Sequence, residues 1–513
     1  MSGSTGGKVT WFNLAVVLVL CFGSLTYGYS FSIVSTTLGQ PSWFAYFDLT
    51  QDPTDAKKYS YTNSIIGTVN GLFSVGGFLG ATFVGWSCDY LGRKKTLLVA
   101  TPVAIIGGAF QGGAAHIAMF LVGRLLSGFA VGILVVLTPL FQAEIAPPAM
   151  RGFLVSQHGV VLVAGYSLAA WMGVACYFSP NEAFQWRFPL ALQALWPLGM
   201  LMLTPVLPES PRWLLAQNRL DEAWAVTLKL HTNGNDTNVA DHDFAKKEFY
   251  QMKEQTQADL VSTSGETIWT LFTKPSYRKR MICAFLVMFG SESTGILVVY
   301  NYSVLLYQGL GFKGSIPLIL AAAYVTVACV GNYINSLLVD RFGRVRLLVI
   351  GFTGCLVSLI FEAALSAKYI GTNENKGLGA GVFFMFLYIT FYGCCIDANT
   401  YVYCSEIFPT HIRSRGLAFS LVVLFLSTIA YLEPAPTAFA QVGWKFYLLF
   451  ILLTVIITPI MAWYLPETKG LTLEEIGEKF GDKVIVHITH ISESERQELD
   501  EKIESSAHEN GCA

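Results

Sequence analysis

Two carboxylates stand where the rest of the sequence avoids charge. Glu292 lies in GSESTGILVVYNYSVLLY (residues 290–307) and Asp397 in CCIDANTYVY (residues 394–403). An acid in an apolar run has three chemical uses. Neutral, it substitutes for an amide and bonds to nearby hydroxyls; ionised, it accepts two hydroxyls of a ligand; passing between the two forms, it carries a proton. For Asp397 a plainer role also exists, as partner to a basic or amide group in a helix bundle. Arg124, which opens GRLLSGFAVG (residues 123–132), is the corresponding cation. It is either an anchor whose stem snorkels along apolar surface, or a conformational latch or a partner for an inward-facing acid.

A second set of charges recurs in a pattern. DYLGRKK at 89–95 returns as DRFGRVR at 340–346, EIAPPAMRG at 144–152 as EIFPTHIRSRG at 406–416, and PESPR at 208–212 as PETKG at 466–470. The order is kept, and so is the spacing from Glu to Arg in the second pair. Asp89, Arg93, Glu144, Arg151, Glu209, Arg212, Asp340, Arg344, Glu406, Arg413 and Glu467 are therefore candidates for a gate. Acids and bases at partly buried helix ends form ion-pair clusters between neighbouring helices. Clusters that pair only when one side is closed would stabilise that state. The plainer reading is topological, since charges at span ends stay wet.

The elements that must position these residues are membrane spans. The chain is 53% hydrophobic and only 13% charged, against about 25% charged for soluble domains. Stretches of about 20 apolar residues, the length of one helical crossing, occur at 13–35, 62–87, 97–117, 119–142, 153–177, 187–207, 281–308, 315–339, 346–367, 378–404, 415–435 and 444–465. The expected architecture is all-α, twelve transmembrane helices in two pseudo-symmetric six-helix bundles, as two parallel repeats around a midplane site require. The boundaries are a polar N-terminus (1–12), a first bundle (13–207), a polar linker with short helices (208–280), a second bundle (281–465) and an acidic, Ser-rich tail (466–513). Lys and Arg cluster in the even-to-odd loops and in the linker. Both termini and the linker are thus expected in the cytoplasm, with the plasma membrane as the expected location. Glu292 lies twelve residues past Arg280, hence about 18 Å along a helix and close to the middle of the bilayer.

Several classes are excluded. The ten cysteines are scattered, without the spacing of a disulfide framework or a metal site. The Gly-rich runs lack a phosphate-cradling pattern and read as close helix packing. No Walker motif and no nucleophile–base set appears, so neither an enzyme nor a cofactor is expected. Net charge near zero gives no reason to expect nucleic acid. Of the two glycosylation sequons, Asn235-Asp236-Thr237 falls in the expected cytoplasmic linker and Asn301-Tyr302-Ser303 inside a span.

At these motifs the sequence resembles the sugar-porter branch of the major facilitator superfamily, over about residues 13–475. The set DxxGRK, GRLLSGFAVG, PESPRWLL, DRFGR and PETKG carries the resemblance. The wording YCSEIFPTHIRSRG is most like fungal hexose- and lactose-permease-type members. The resemblance implies a solute carrier working by alternating access, with sugar contacts on spans five, seven, eight, ten and eleven. Gln157 matches the family's span-five glutamine. The span-seven glutamine pair is replaced by Ser291 and Glu292 and its asparagine by Leu297. Tyr401 stands for a tryptophan, Leu424 and Phe425 for an Asn-Trp pair, and Ala328 for an asparagine, with Asn332 one turn on. The implied pocket is Gln157, Ser291, Glu292, Tyr300, Asn301, Asn399, Tyr401 and Phe425. An acid that proton-coupled members carry in span one is Ser30, and a glutamate of span six is Gln193, so any coupling would fall to Arg124, Glu292 or Asp397. The expected partners are a sugar or sugar-like solute, protons if coupling exists, and lipid. The altered span seven keeps open another polar solute, such as a cyclic acid or glycoside. A non-transporting nutrient sensor is the remaining class, and the tail is short for one.

Overall fold

In lipid each backbone N–H and C=O must be satisfied within its own segment, so a long apolar run folds as helix. The computed structural model contains helices and no strand among its described residues. These residues are 10–145, 151–231, 269–369, 375–409, 412–471 and 473–481, with 245, 246, 248–250, 252, 253 and 256. The sequon at 235–237, most of the polar linker and the acidic tail beyond 481 lie outside them.

Spans one to six are Trp11–Thr37, Ala56–Leu91, Arg93–Gly112, Ile117–Ile145, Arg151–Tyr177, and Glu182–Leu192 continued by Leu195–Leu203. Span seven is built from Pro275–Ser293, Ile296–Asn301 and Ser303–Gly309. Spans eight and nine are Ile316–Phe342 and Arg344–Tyr369. Span ten runs Asn375–Phe391, a π-turn at Tyr392–Ile396, then Asp397–Ile407. Spans eleven and twelve are Arg413–Leu432 and Tyr447–Tyr464. Eleven stretches are long and apolar enough to cross a membrane, and the last, Arg413–Tyr464, contains both spans eleven and twelve. The expected twelve are therefore present. Several begin two to six residues earlier than apolarity alone marks them, because polar turns such as Ala56–Tyr61 wind onto the apolar helix.

The solvent pattern is that of a lipid-embedded bundle. Large apolar side chains such as Leu337, Phe383, Leu452 and Trp463 face outward, while Ser24, Thr101, Gln111, Asn335 and Ser358 are buried. Within the first half, spans two and four meet backbone to backbone. A Cβ at Gly128 would lie 2.0 Å from the Phe73 carbonyl oxygen, and one at Gly132 would lie 2.2 Å from that of Gly77. Small residues let helices touch where lipid provides no hydrophobic drive. Across the halves, span two packs along span eleven and span five along span eight. These contacts leave spans one, five, seven, eight, ten and eleven around the middle of the molecule.

Candidate solute site between the halves

Span seven breaks beside Glu292, and the local sequence SESTG explains why. The hydroxyl of Ser291 donates to the Met288 carbonyl at 2.9 Å, that of Ser293 to Phe289 at 2.6 Å, and that of Thr294 to Ser291 at 2.7 Å. Such back-bonding competes with the helical ladder and bends it. Gly295 then takes φ +87°, in the left-handed region. A Cβ there would also lie 2.8 Å from the Phe450 ring. The carbonyl and hydroxyl of Thr294, freed by the break, meet the Tyr388 hydroxyl, each at 3.0 Å.

Span ten winds through a π-turn directly before Asp397 and continues as α-helix, the Asp397 N–H bonding to the Tyr392 carbonyl. Single π-turns inside α-helices are frequent at functional sites. Its Oδ2 accepts from the Asn332 amide at 2.7 Å. The amide partner foreseen for Asp397 is thus Asn332, one turn past the Ala328 that stands for the family's asparagine.

Both acids face one central cavity. It has room for about 50 Å³ and is walled by Tyr27 and Phe31 of span one, Tyr166 of span five, Ser291 and Tyr300 of span seven, Tyr392, Thr400 and Tyr401 of span ten, and Leu424 and Phe425 of span eleven. Glu292 is only 4% exposed, and among the described residues its Oε2 has no hydrogen-bond partner. Towards the end remote from the duplicated motifs the cavity is closed by rings: Phe31 stacks on Tyr300 at 5.9 Å between centroids, and Tyr166 meets Tyr300 at 5.3 Å. The Ser35 hydroxyl donates to the Tyr300 carbonyl, and the Tyr302 hydroxyl accepts from Asn70 at 3.0 Å and donates to the Leu432 carbonyl at 2.7 Å. The Ser35–Tyr300 and Asn70–Tyr302 bonds join the two halves, and the Tyr302–Leu432 bond lies within the second.

Of the residues read from sequence as the pocket, Ser291, Glu292, Tyr300, Tyr401 and Phe425 line this cavity; Gln157, Asn301 and Asn399 do not. Asn301 donates to the Leu297 carbonyl of its own helix, and Asn399 to the Arg344 carbonyl at 2.8 Å. Those amides hold backbone. Sequence reading missed the first-half wall of Tyr27, Phe31 and Tyr166, although Tyr27 and Phe31 stand at helical i, i+4 spacing. It also missed Glu362, a buried acid on the wall of a larger outer cavity of about 660 Å³ among spans two, seven and nine, the start of span twelve and the segment that leads into it.

Arg124 pairs with neither acid. It is 1% exposed, donates from Nε to the Val69 carbonyl and from Nη1 to the Ser30 carbonyl at 3.0 Å, and lies 4.1 Å from the centroid of the Phe73 ring. It is no snorkelling anchor, since its guanidinium is held inside the first half by spans one and two.

The duplicated charges assemble into two matching braces. Arg93 makes a bidentate pair with Glu144 at 2.9 and 2.7 Å, and Arg344 one with Glu406 at 3.1 and 2.8 Å. Glu209 accepts from the Arg93 backbone N–H at 2.9 Å, and Glu467 from that of Arg344 at 2.8 Å. In each brace a carboxylate thus sits on the first N–H groups of a helix, which attract anions. Gly92 and Gly343, at φ +87° and +96°, allow the approach: a Cβ would fall 2.7 Å from Glu209 Oε2 and 2.8 Å from Glu467 Oε2. Each brace is internal to one half. The ion pair that crosses between halves among the described residues is Asp89–Arg415, long at 3.8 Å. Arg413 donates to the Phe408 carbonyl, and Arg212 is half-buried at a helix start. The side chains of Arg151 and Asp340 lie outside the described residues.

Comparison with known proteins gives a consistent picture. Residues 16–480 match the sequence family described as "Sugar (and other) transporter". The chain is 31% identical over 478 residues to the MFS-type transporter criB of Aspergillus cristatus, covering 93% of this chain and 95% of that one. It is 27% identical over 483 residues to Sugar transporter STL1 of Saccharomyces cerevisiae, covering 92% and 82%. Among solved structures it superposes on the proton:xylose symporter XylE bound to 6-bromo-6-deoxy-D-glucose, with a TM-score of 0.75 at 22% identity, over 91% of this chain and 99% of that one. That likeness shows the fold.

Proposed function

Because the chain belongs to the sugar (and other) transporter family, we propose that it carries a sugar-like polar solute across the membrane by alternating access. The observation that supports this most is the central cavity, whose walls come from both halves. A solute held there touches both bundles. Rocking one bundle against the other would move the opening from one face to the other without moving the site. The two braces suit the same cycle, since they stiffen each half while leaving the seam between halves lightly bonded at their end. The end carrying the braces faces the cytoplasm in this reading, together with the linker and both termini, and the membrane is the plasma membrane.

A second reading is favoured by one observation: among the described residues lining the cavity there is no asparagine or glutamine. Amides both donate and accept, which suits sugar hydroxyls; their absence favours a different polar small molecule. On energetics, Ser30 contributes only its carbonyl to Arg124, so the first half lacks a proton-carrying acid at that position. A facilitated cycle follows, unless Glu292 or Asp397 carries the proton. Full-length protein in proteoliposomes tests the function, with labelled hexoses, pentoses, disaccharides and cyclic acids, each with and without a pH gradient. Saturable uptake above that of protein-free vesicles is expected, and no such uptake for any member sinks the transporter reading.

A further inference from the structure

The central cavity carries more acid than a neutral solute needs. Glu292 and Asp397 face the same small space, and among the described residues lining it there is no lysine, arginine or histidine. The buried cation of the first half is turned elsewhere, to the carbonyls of Val69 and Ser30 and the ring of Phe73. Asp397 has one neutral donor, Asn332, and Glu292 Oε2 has none. A carboxylate accepts and cannot donate, and two of them in a low-dielectric space repel each other unless one is protonated or something positive lies between. The rest of the wall is aromatic and aliphatic, with the hydroxyls of Ser291, Thr400 and Thr428. Tyr27, Tyr166, Tyr300 and Tyr401 are among its residues, and aromatic rings attract a cation most strongly where water is excluded. The helix break at Gly295 and the π-turn before Asp397 hold both carboxyls at this point of the cavity.

We propose that the central site takes a solute bearing a protonated amine, its ammonium held between Glu292 and Asp397 and against the tyrosine rings. The solute completes the charge set that the protein leaves open. Its remaining polar groups meet hydroxyls, such as those of Ser291 and Tyr300, rather than amides. The inference rests on the transporter reading for its cycle but concerns recognition, so binding tests it separately from flux.

The test uses purified full-length protein and two matched series. One is glucosamine, glucose and N-acetylglucosamine; the other is phenethylamine, its N-acetyl derivative and its N,N,N-trimethyl derivative, whose charge does not depend on pH. Binding is read as a shift in melting temperature over a concentration series. In at least one series the charged members should bind about tenfold tighter than the neutral ones, an order within reach of ion pairing and cation–π contact where water is excluded. Glu292→Gln and Asp397→Asn, checked for monodisperse elution, should each reduce that preference. If a variant fails to fold, the comparison on the unmodified protein decides alone. Equal or absent binding in both series overturns the proposal, as does a preference that survives in the double variant. Preferred amine binding without flux into proteoliposomes leaves the proposal standing and removes the transporter reading. Uptake of a neutral solute driven by a pH gradient, with no amine preference, keeps the transporter and overturns the proposal.

Discussion

The two halves agree at their charged ends and disagree at mid-membrane. Arg93, Glu144 and Glu209 are reproduced by Arg344, Glu406 and Glu467, down to the left-handed glycine that admits each carboxylate. In the middle, by contrast, the first half offers rings and a cation that is already bonded, while the second offers two acids without a base. The ends answer a need common to both bundles, which is to tie three helices together where charge is partly buried. The middle, in the function proposed above, meets a solute that both halves share but need not contact alike. Duplication therefore preserves what the fold requires and diverges where chemistry is selective.

The comparison can be broken most severely at the braces. Glu144→Ala leaves Arg93 without its bidentate partner at a site where the two side chains are 9% and 10% exposed. Removing one member of a buried pair costs about 3–5 kcal/mol, so a clear fall in melting temperature is expected. Glu406→Ala should cost less, because Glu406 is 24% exposed. Equal losses would mean that the two braces are not graded by burial as described. Transport should slow in both.

The middle should respond in the opposite sense. Glu292→Gln and Asp397→Asn are expected to lower uptake by about tenfold, the order of a lost charge-assisted bond, with melting temperature unchanged or raised. A fall in stability without loss of uptake would assign these acids to structure. Gly295→Ala sharpens the point about helix breaks. It forces a Cβ against Phe450 at a left-handed backbone, a strain of about 1–3 kcal/mol; slower uptake with intact membrane insertion is the expected result. The smallest effect belongs to Tyr302→Phe, which removes a hydroxyl joining Asn70 to the Leu432 carbonyl. It should loosen the outer seam by about 1 kcal/mol. Labelling of a cysteine introduced at Ile66, buried on the outer cavity wall with Tyr302, should speed up accordingly, and unchanged labelling would count against the seam.

How much of this is legible in the sequence follows the same division. The spans can be read because lipid leaves a long apolar run no alternative to helix. The braces can be read because duplication prints them twice. The central wall could be read only in part. Gln157, Asn301 and Asn399 looked like ligands by residue type, yet Asn301 and Asn399 bond to nearby backbone carbonyls, which an isolated amide symbol does not reveal. Tyr27, Phe31 and Tyr166 give no signal of this kind in the sequence, since rings in an apolar span carry no mark of the face they present. Arg124 read equally well as anchor or latch, because its partners are backbone carbonyls on two other spans. Which way a side chain faces depends on neighbours far away in sequence, and that information enters only with the fold.

The most direct test of the central claim is initial uptake per incorporated protein. Proteoliposomes holding the unmodified chain or the Glu292→Gln/Asp397→Asn double variant would be compared on the best solute of the combined panel. Saturable uptake by the former and at least about a tenfold loss in the latter are expected, with melting temperature unchanged or raised. A double variant that keeps the full rate would contradict it.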